Sequence, residues 1–339
     1  MVLKTSIEPY TLNFKSPAGT SRGIYLTHQV WYLRVFSDNA SERIGIGECA
    51  PLPRLSCDDL PNYNEILRKA CRDFELNDTI NYECLRPYPS ILFGFETALK
   101  HFEKGSFALW DTPFSRGEQS ILINGLIWMD TYEKMSKQIK EKIRMGFKCL
   151  KLKIGTINFE KEIALLESVR EHFSIDTITL RVDANGAFSP DEALYKLKRL
   201  AKLGIHSIEQ PIKAGQWKEM ADLASNSPVP IALDEELIGC NTYEKKRRML
   251  EFIRPPYIIL KPSLHGGLKG CEEWIEIAND LNIGWWITSA LESNIGLNAI
   301  AQWCATLNNP VHHGLGTGML YTNNRNVPLH TEGENLFFG

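Results

Sequence analysis

Five charged residues recur at nearly constant intervals: Lys153, Asp183, Glu209, Asp234 and Lys261 are separated by 30, 26, 25 and 27 residues. They fall in K-L-K (151–153), V-D-A-N-G-A-F (182–188), I-E-Q-P (208–211), A-L-D-E-E (232–236) and L-K-P-S (260–263), each at the end of a short apolar run. If every run is a strand of one parallel sheet, these groups share one edge of it. A single Asp in such a place is an ordinary helix N-cap. Three carboxylates on consecutive strands repel one another unless a cation joins them. Oxygen-only ligands, without His or Cys, suit a hard ion: Mg²⁺ first, with Mn²⁺ as the substitute, held by Asp183, Glu209 and Asp234.

Lys151 and Lys153 lie two residues apart and so project to one face of a strand, while Leu150, Leu152 and Ile154 make the other face apolar. Two ammonium groups turned inward are costly without a function. The like charge of Lys151 and a nearby metal are expected to bring Lys153 from about 10.4 toward 7–8, where it can act as a base at neutral pH. Lys261 lies four strands further on, opposite Lys153 in an eight-stranded ring. A base on each side of a metal-bound carboxylate suits removal of the proton α to that carboxylate. Elimination, reprotonation or ring opening can follow. The expected substrate is a small-molecule carboxylate, with Lys153 and Lys261 catalytic. Lys151, Arg181, Asn185, Ser263 and Ser289 are candidates for substrate contact, and Glu235 for contact or support.

The elements that would position these groups follow from periodicity. Apolar runs at 120–125, 148–154, 177–183, 206–210, 230–234, 257–261, 284–288 and 313–316 alternate with amphipathic stretches. Their starts are 28, 29, 29, 24, 27, 27 and 29 residues apart, which accommodates a strand, a helix and two short loops. Eight units favour closure into a (β/α)₈ barrel over an open doubly wound sheet. Asp130, Ser189 and Asn241 each precede an acidic residue by three positions and are expected N-caps. Pro190 suits a first helical turn, and Gly146 and Gly204 suit helix stops. Before the barrel, 24–36 and 43–48 alternate like antiparallel strands, and 61–76 and 90–104 have helical spacing. The chain is therefore expected to divide into an α+β domain (1–119), a barrel (120–316) and a tail (317–339) that returns to the first domain.

Composition narrows the function. Among 339 residues, 38 Lys and Arg against 41 Asp and Glu give a charge of −3, with no polybasic signature for nucleic acid or anionic membrane. No apolar run reaches the 18 or so residues of a membrane helix, and MVLKTSIEPY has no signal-peptide core. The 8 cysteines form no C-x-x-C pair, which fits small buried hydrophobes in a reducing cytoplasm. No G-x-G-x-x-G or G-x-x-x-x-G-K-[ST] follows a strand. Nothing in the sequence sets an oligomeric state.

The five motifs together resemble the enolase superfamily, within it the muconate-lactonizing-type subgroup. That resemblance implies an enolase-type (β/α) barrel under an N-terminal α+β capping domain. It implies that Ser16–Gly23 and the G-E-C-A-P-L-P stretch (47–53) close over the mouth. It also implies Asp183, Glu209 and Asp234 as Mg²⁺ ligands, with Lys153 and Lys261 as the acid/base pair. Relatives that epimerise dipeptides place Asp-x-Asp at the eighth strand to hold an amino group. Here that stretch is Gly314-Leu-Gly-Thr-Gly318, which suits backbone contacts to an anionic or aromatic ligand.

Overall fold

The computed structural model describes residues 2–20, 23–38 and 40–339, with side chains at all of these except 19–20 and 40–42. Three antiparallel strands open the chain in the order β1 (Leu3–Thr20), β2 (Gly23–Ser37) and β3 (Ala40–Cys49). The alternation at 24–36 and 43–48 anticipates β2 and β3 but not β1. Pro9 lies within β1, at the sheet edge, where its missing N–H costs least. Helices α1 (Tyr63–Asn77), α2 (Tyr82–Leu85) and α3 (Pro89–Lys104) follow. Helix α3 rests on β3 so closely that a methyl group at Gly45 or Gly47 would lie 2.0 Å from the carbonyl oxygen of Ala98 or Gly94. The G-I-G spacing is thus what lets backbone meet backbone there.

Seven parallel strands, each separated from the next by a helix, form the second sheet. They are β5 (Gly125–Ile127), β6 (Cys149–Lys153), β7 (Thr179–Asp183), β8 (Ile205–Glu209), β9 (Ile231–Leu233), β10 (Tyr257–Leu260) and β11 (Gly284–Ile287), adjacent in that order. The intervening helices are α4 (Tyr132–Arg144), α5 (Phe159–Arg170), α6 (Pro190–Ala201), α7 (Trp217–Asn226), α8 (Tyr243–Ile253) and α9 (Gly267–Asp280), and α10 (Asn294–Thr306) follows β11. The eighth position is filled by residues 313–314, which bridge in parallel to Ile123 on one side and Thr288 on the other. The sheet thereby closes, as the count of eight apolar runs predicts. The interior is a continuous packing of Ile, Leu and Val from strands and inner helix faces.

The first run needs correction. Rather than forming one barrel strand over 120–125, Ile121–Leu122 (β4) pairs with the chain's final hairpin, β12 (Leu329–Glu332) and β13 (Asn335–Phe338). The barrel strand begins only at Gly125. The tail accordingly works in two places. Leu320–Arg325 meets the N-terminal sheet, with Tyr321 bridging to Phe14 and Arg325 paired with Glu8, whereas β12–β13 joins the barrel's own first segment. Two helix starts also shift by one residue. Thr131 and Thr242, not Asp130 and Asn241, cap α4 and α8, because their hydroxyls accept from Lys134 and Lys245. Ser189 caps α6 with a full capping box, and Pro190 opens its first turn. All 8 cysteines are free, and those at 49, 71, 149, 240, 271 and 304 are buried.

Two carboxylates fasten the N-terminal region to the barrel. Glu48 on β3 accepts from Ser293 N at 2.8 Å, Ser293 Oγ at 2.5 Å and Gly296 N at 2.8 Å, at the start of α10. Glu96 on α3 accepts from Leu268 N at 2.6 Å and Lys269 N at 3.1 Å, at the start of α9. Each satisfies backbone donors that a helix N-terminus leaves open. Among the described residues no cation lies within salt-bridge distance of either, and burial pushes Glu48 up to about 7 and Glu96 to about 8.

Candidate active site at the barrel mouth

Strand register places the charged row. Lys153 lies opposite Asp183, and Asp183 opposite Glu209, across β6, β7 and β8. Asp234 and Lys261 immediately follow β9 and β10. The chain then turns sharply after two of the carboxylates. Asn185 and Gln210 have φ of +44° and +40°, conformations that Asn tolerates and Gln holds only when its surroundings fix it. Gln210 earns that conformation by accepting from the backbone N–H of Asp234 and of Glu236, both at 3.2 Å.

The side chains converge. Lys153 Nζ donates to Asp183 Oδ2 and Asn185 Oδ1, each at 2.7 Å. Lys151 Nζ lies 3.1 Å from Asp183 Oδ2 and also bonds Glu209 Oε2. Lys261 Nζ lies 2.5 Å from Asp234 Oδ2 and 3.8 Å from Glu209 Oε1. Asn185 donates to Glu235 Oε1 at 2.9 Å. Burial opposes ionisation of Asp183, but Lys151, Lys153 and Lys261 outweigh it and hold that carboxyl far below its usual range. Burial, with Asp183 and Asp234 adding like charge, pushes Glu209 up to about 8. Lys151 and Lys261 are both raised, because the facing carboxylates overcome the cost of burial.

Among the described residues, no three carboxylate, imidazole or thiolate groups are arranged to hold a metal ion as they stand, since the ammonium groups lie on them. The donor chemistry nevertheless fits a hard cation. Asp183, Glu209 and Asp234 offer only oxygen, and Glu209 Oε1 and Asp234 Oδ1 are buried with no hydrogen-bond partner. These two orphaned oxygens lie on adjacent strands.

A pocket of about 100 Å³ opens on this row and is lined by Lys151, Lys153, Asn185, Asp234, Lys261 and Ser289. Its other wall is apolar: Leu126 from β5 and Trp128, Leu264 and Leu291 from the barrel loops, with Tyr25, Leu52 and Leu55 from the N-terminal region. Of the loop Ser16–Gly23, Ser21 and Arg22 lie outside the described residues. Tyr25, just beyond that loop, lines the pocket, and its hydroxyl donates to Pro53 O at 2.6 Å. Leu52 lies in the expected 47–53 stretch.

Two expected contacts lie elsewhere. Ser263 is fully buried, and its hydroxyl bonds Glu292 instead of lining the pocket. Arg181 turns toward the opposite end of the barrel, donating to His312 O at 2.8 Å and stacking over Trp286 at 4.1 Å. Lys151 occupies the neighbouring register position with its charge on the mouth carboxylates, so a guanidinium is better placed away from it. Sequence reasoning passed over Gln210, Glu292 and His265. Glu292 also accepts from Ala290 N at 2.6 Å, and His265 Nδ1 accepts from Lys261 N at 3.0 Å. Their only sequence signal is proximity to the strand ends.

A family model described as "Enolase C-terminal domain-like" matches residues 134–334. The chain is 44% identical to the o-succinylbenzoate synthase of Desulfotalea psychrophila over 95% of each chain. The crystal structure of MenC from that organism superimposes with a TM-score of 0.85 at 40% identity, covering 99% of this chain and 100% of the other. A dipeptide epimerase from Enterococcus faecalis, solved with Mg and a dipeptide, shares the fold at a TM-score of 0.84 and 20% identity, covering 100% and 98%. The motifs, the closed sheet and these matches agree: the chain belongs to the enolase superfamily, in the subgroup of the muconate-lactonizing enzymes.

Proposed function

We propose that this chain is a Mg²⁺-dependent hydro-lyase that converts 2-succinyl-6-hydroxy-2,4-cyclohexadiene-1-carboxylate to 2-succinylbenzoate, a step of menaquinone biosynthesis, in the cytoplasm. The observation that carries the reading is the register-matched row Lys153–Asp183–Glu209 with Asp234 and Lys261 beyond it. The 44% identity to a synthase of that product supports the choice of substrate.

Asp183, Glu209 and Asp234 would hold the Mg²⁺. When bound, it supplies positive charge against the negative charge that develops on the substrate carboxylate. Lys153, as the free amine, takes the proton from the carbon beside that carboxylate. As the ammonium it then returns a proton to the departing hydroxyl on the same face. The C–H and C–O bonds break, water leaves and the ring becomes aromatic. Lys261 remains protonated and faces the anionic intermediate from the other side. Asn185 keeps Lys153 in place, and the Leu52, Leu55, Trp128 and Leu291 wall excludes bulk water. The domains follow the same division: 1–119 as cap, 120–316 as catalytic barrel, 317–339 as tail.

The test is the ultraviolet absorbance change of the cyclohexadiene substrate with purified protein and Mg²⁺. Turnover that is abolished by a chelator and restored by Mg²⁺ or Mn²⁺ is expected; no absorbance change sinks the proposal. A racemase reading rests on the lysines flanking the row from both sides. It requires exchange of the α-proton of an N-succinylamino acid in deuterated water, faster than dehydration.

A further inference from the structure

The opposite end of the barrel has a cavity of its own. It measures about 420 Å³ and is lined by Arg181, His206, Tyr257, Trp285, Trp286 and Asn309, among others, none of which lines the mouth pocket. These residues come from the starts of β10 and β11, from the inner faces of β7 and β8, and from the turn before the eighth strand. The walls are aromatic. His206 stacks on Tyr257 at 5.4 Å, and Trp286 lies 5.4 Å from Tyr257.

The charge here is one-sided. Arg181 is only 4% exposed, yet among the described residues no carboxylate stands within salt-bridge distance of it. It donates a hydrogen bond to the His312 carbonyl. Glu334, the acidic group on this side, is already engaged by His312 and by Lys148 N. Two of these lining residues carry a fully buried donor, Arg181 Nε and Trp286 Nε1, that has no acceptor. A buried guanidinium without a counter-charge is costly, and buried N–H groups without acceptors add to that cost. Lys151, Lys153 and Lys261 at the mouth are each paired with a carboxylate, so the contrast with Arg181 separates the two ends.

We propose that this floor cavity is a second ligand site, which takes a small aromatic carboxylate. The carboxylate meets the Arg181 guanidinium, and the ring lies against Trp286, Tyr257 and His206. A volume of this size lies within the range of small-molecule sites, and a guanidinium with an aromatic face is the arrangement that recognises a planar anion.

Sodium benzoate is the probe, titrated calorimetrically into the full-length protein, with inorganic phosphate as the comparison anion. Saturable benzoate binding is expected, weakened about tenfold or more by Arg181→Gln, the loss of one charge-assisted hydrogen bond. His206→Ala should weaken it a few-fold and provides the decision if Arg181→Gln does not fold. Dehydratase kcat/KM should change less than about twofold in His206→Ala, which leaves the mouth untouched. Absence of saturation, equal affinity in both variants, or phosphate binding as tight as benzoate each overturns the assignment.

Discussion

Two sets of buried carboxylates in this protein behave in contrasting ways. At the mouth, Asp183 faces three ammonium groups and stays ionised despite burial. At the seam, Glu48 and Glu96 accept hydrogen bonds from helix N-termini, and burial drives them up to about 7 and about 8. Hydrogen bonds from backbone N–H groups and a helix dipole soften desolvation but do not match a lysine at close range. Burial alone does not set the state of a carboxylate: three ammonium groups keep Asp183 ionised, whereas at Glu209 burial and two neighbouring carboxylates outweigh Lys151 and Lys261. The mouth concentrates mobile charge for chemistry, whereas the seam uses the same residue type to hold two layers together.

Substitutions on the two sides should separate activity from stability. Lys153→Ala should show the largest effect, lowering kcat by about 10² to 10⁴, with its circular dichroism spectrum unchanged. Retained turnover in that variant would remove the mouth from the mechanism. Lys261→Ala should follow at about 10² to 10³ in kcat, measured in the same absorbance assay. Glu48→Ala leaves Ser293 and Gly296 donors without their acceptor and should cost about 1–3 kcal/mol in urea unfolding. Its kcat should stay within a few-fold of the parent; a collapse of kcat at full occupancy of the native state would erase the contrast. The smallest effect concerns pH. Glu48 is raised above its ordinary 4.5, so its contribution to stability is fully present below that value and is lost as pH rises through about 7. Glu48→Gln should therefore show a shallower fall in unfolding midpoint between pH 5 and 8 than the parent, and an equal fall would show that Glu48 does not titrate there.

Much of the barrel was legible because its signals are local. Five of the eight apolar runs close on or beside a charged residue, and helices such as α6 carry their own cap, so seven of the eight runs overlap strands observed near their expected bounds or, for the eighth, bridging residues. The row of lysines and carboxylates was legible for the same reason, since nearly equal spacing along the chain brings Lys153, Asp183 and Glu209 to matching positions on neighbouring strands. What escaped depends on distant partners. Strand β4 is diverted by a hairpin more than 200 residues later, as the Ser120–Asn335 hydrogen bond at a separation of 215 illustrates. Arg181 has the position of a mouth residue, but the like charge of Lys151 and the aromatic floor set its direction. Tyr25 and Leu55 reach the pocket only through docking of the N-terminal region, which alternation along a strand does not encode, whereas Leu52 belongs to the 47–53 stretch expected there.

That long-range pairing also bears on how the chain reaches its folded state. Barrel strand β5 borders β6 on one side, and the segment just before it relies on residues 313–314 and β13 on the other. During synthesis the early strands must therefore wait, with one edge unpaired, until almost the entire barrel has left the ribosome. Closure of a ring through its first and last segments is a late, entropically costly event. An open edge of this kind invites association with another chain. Truncations that remove β12–β13 should consequently be seen first as aggregation during expression, before any loss of catalytic groups is felt.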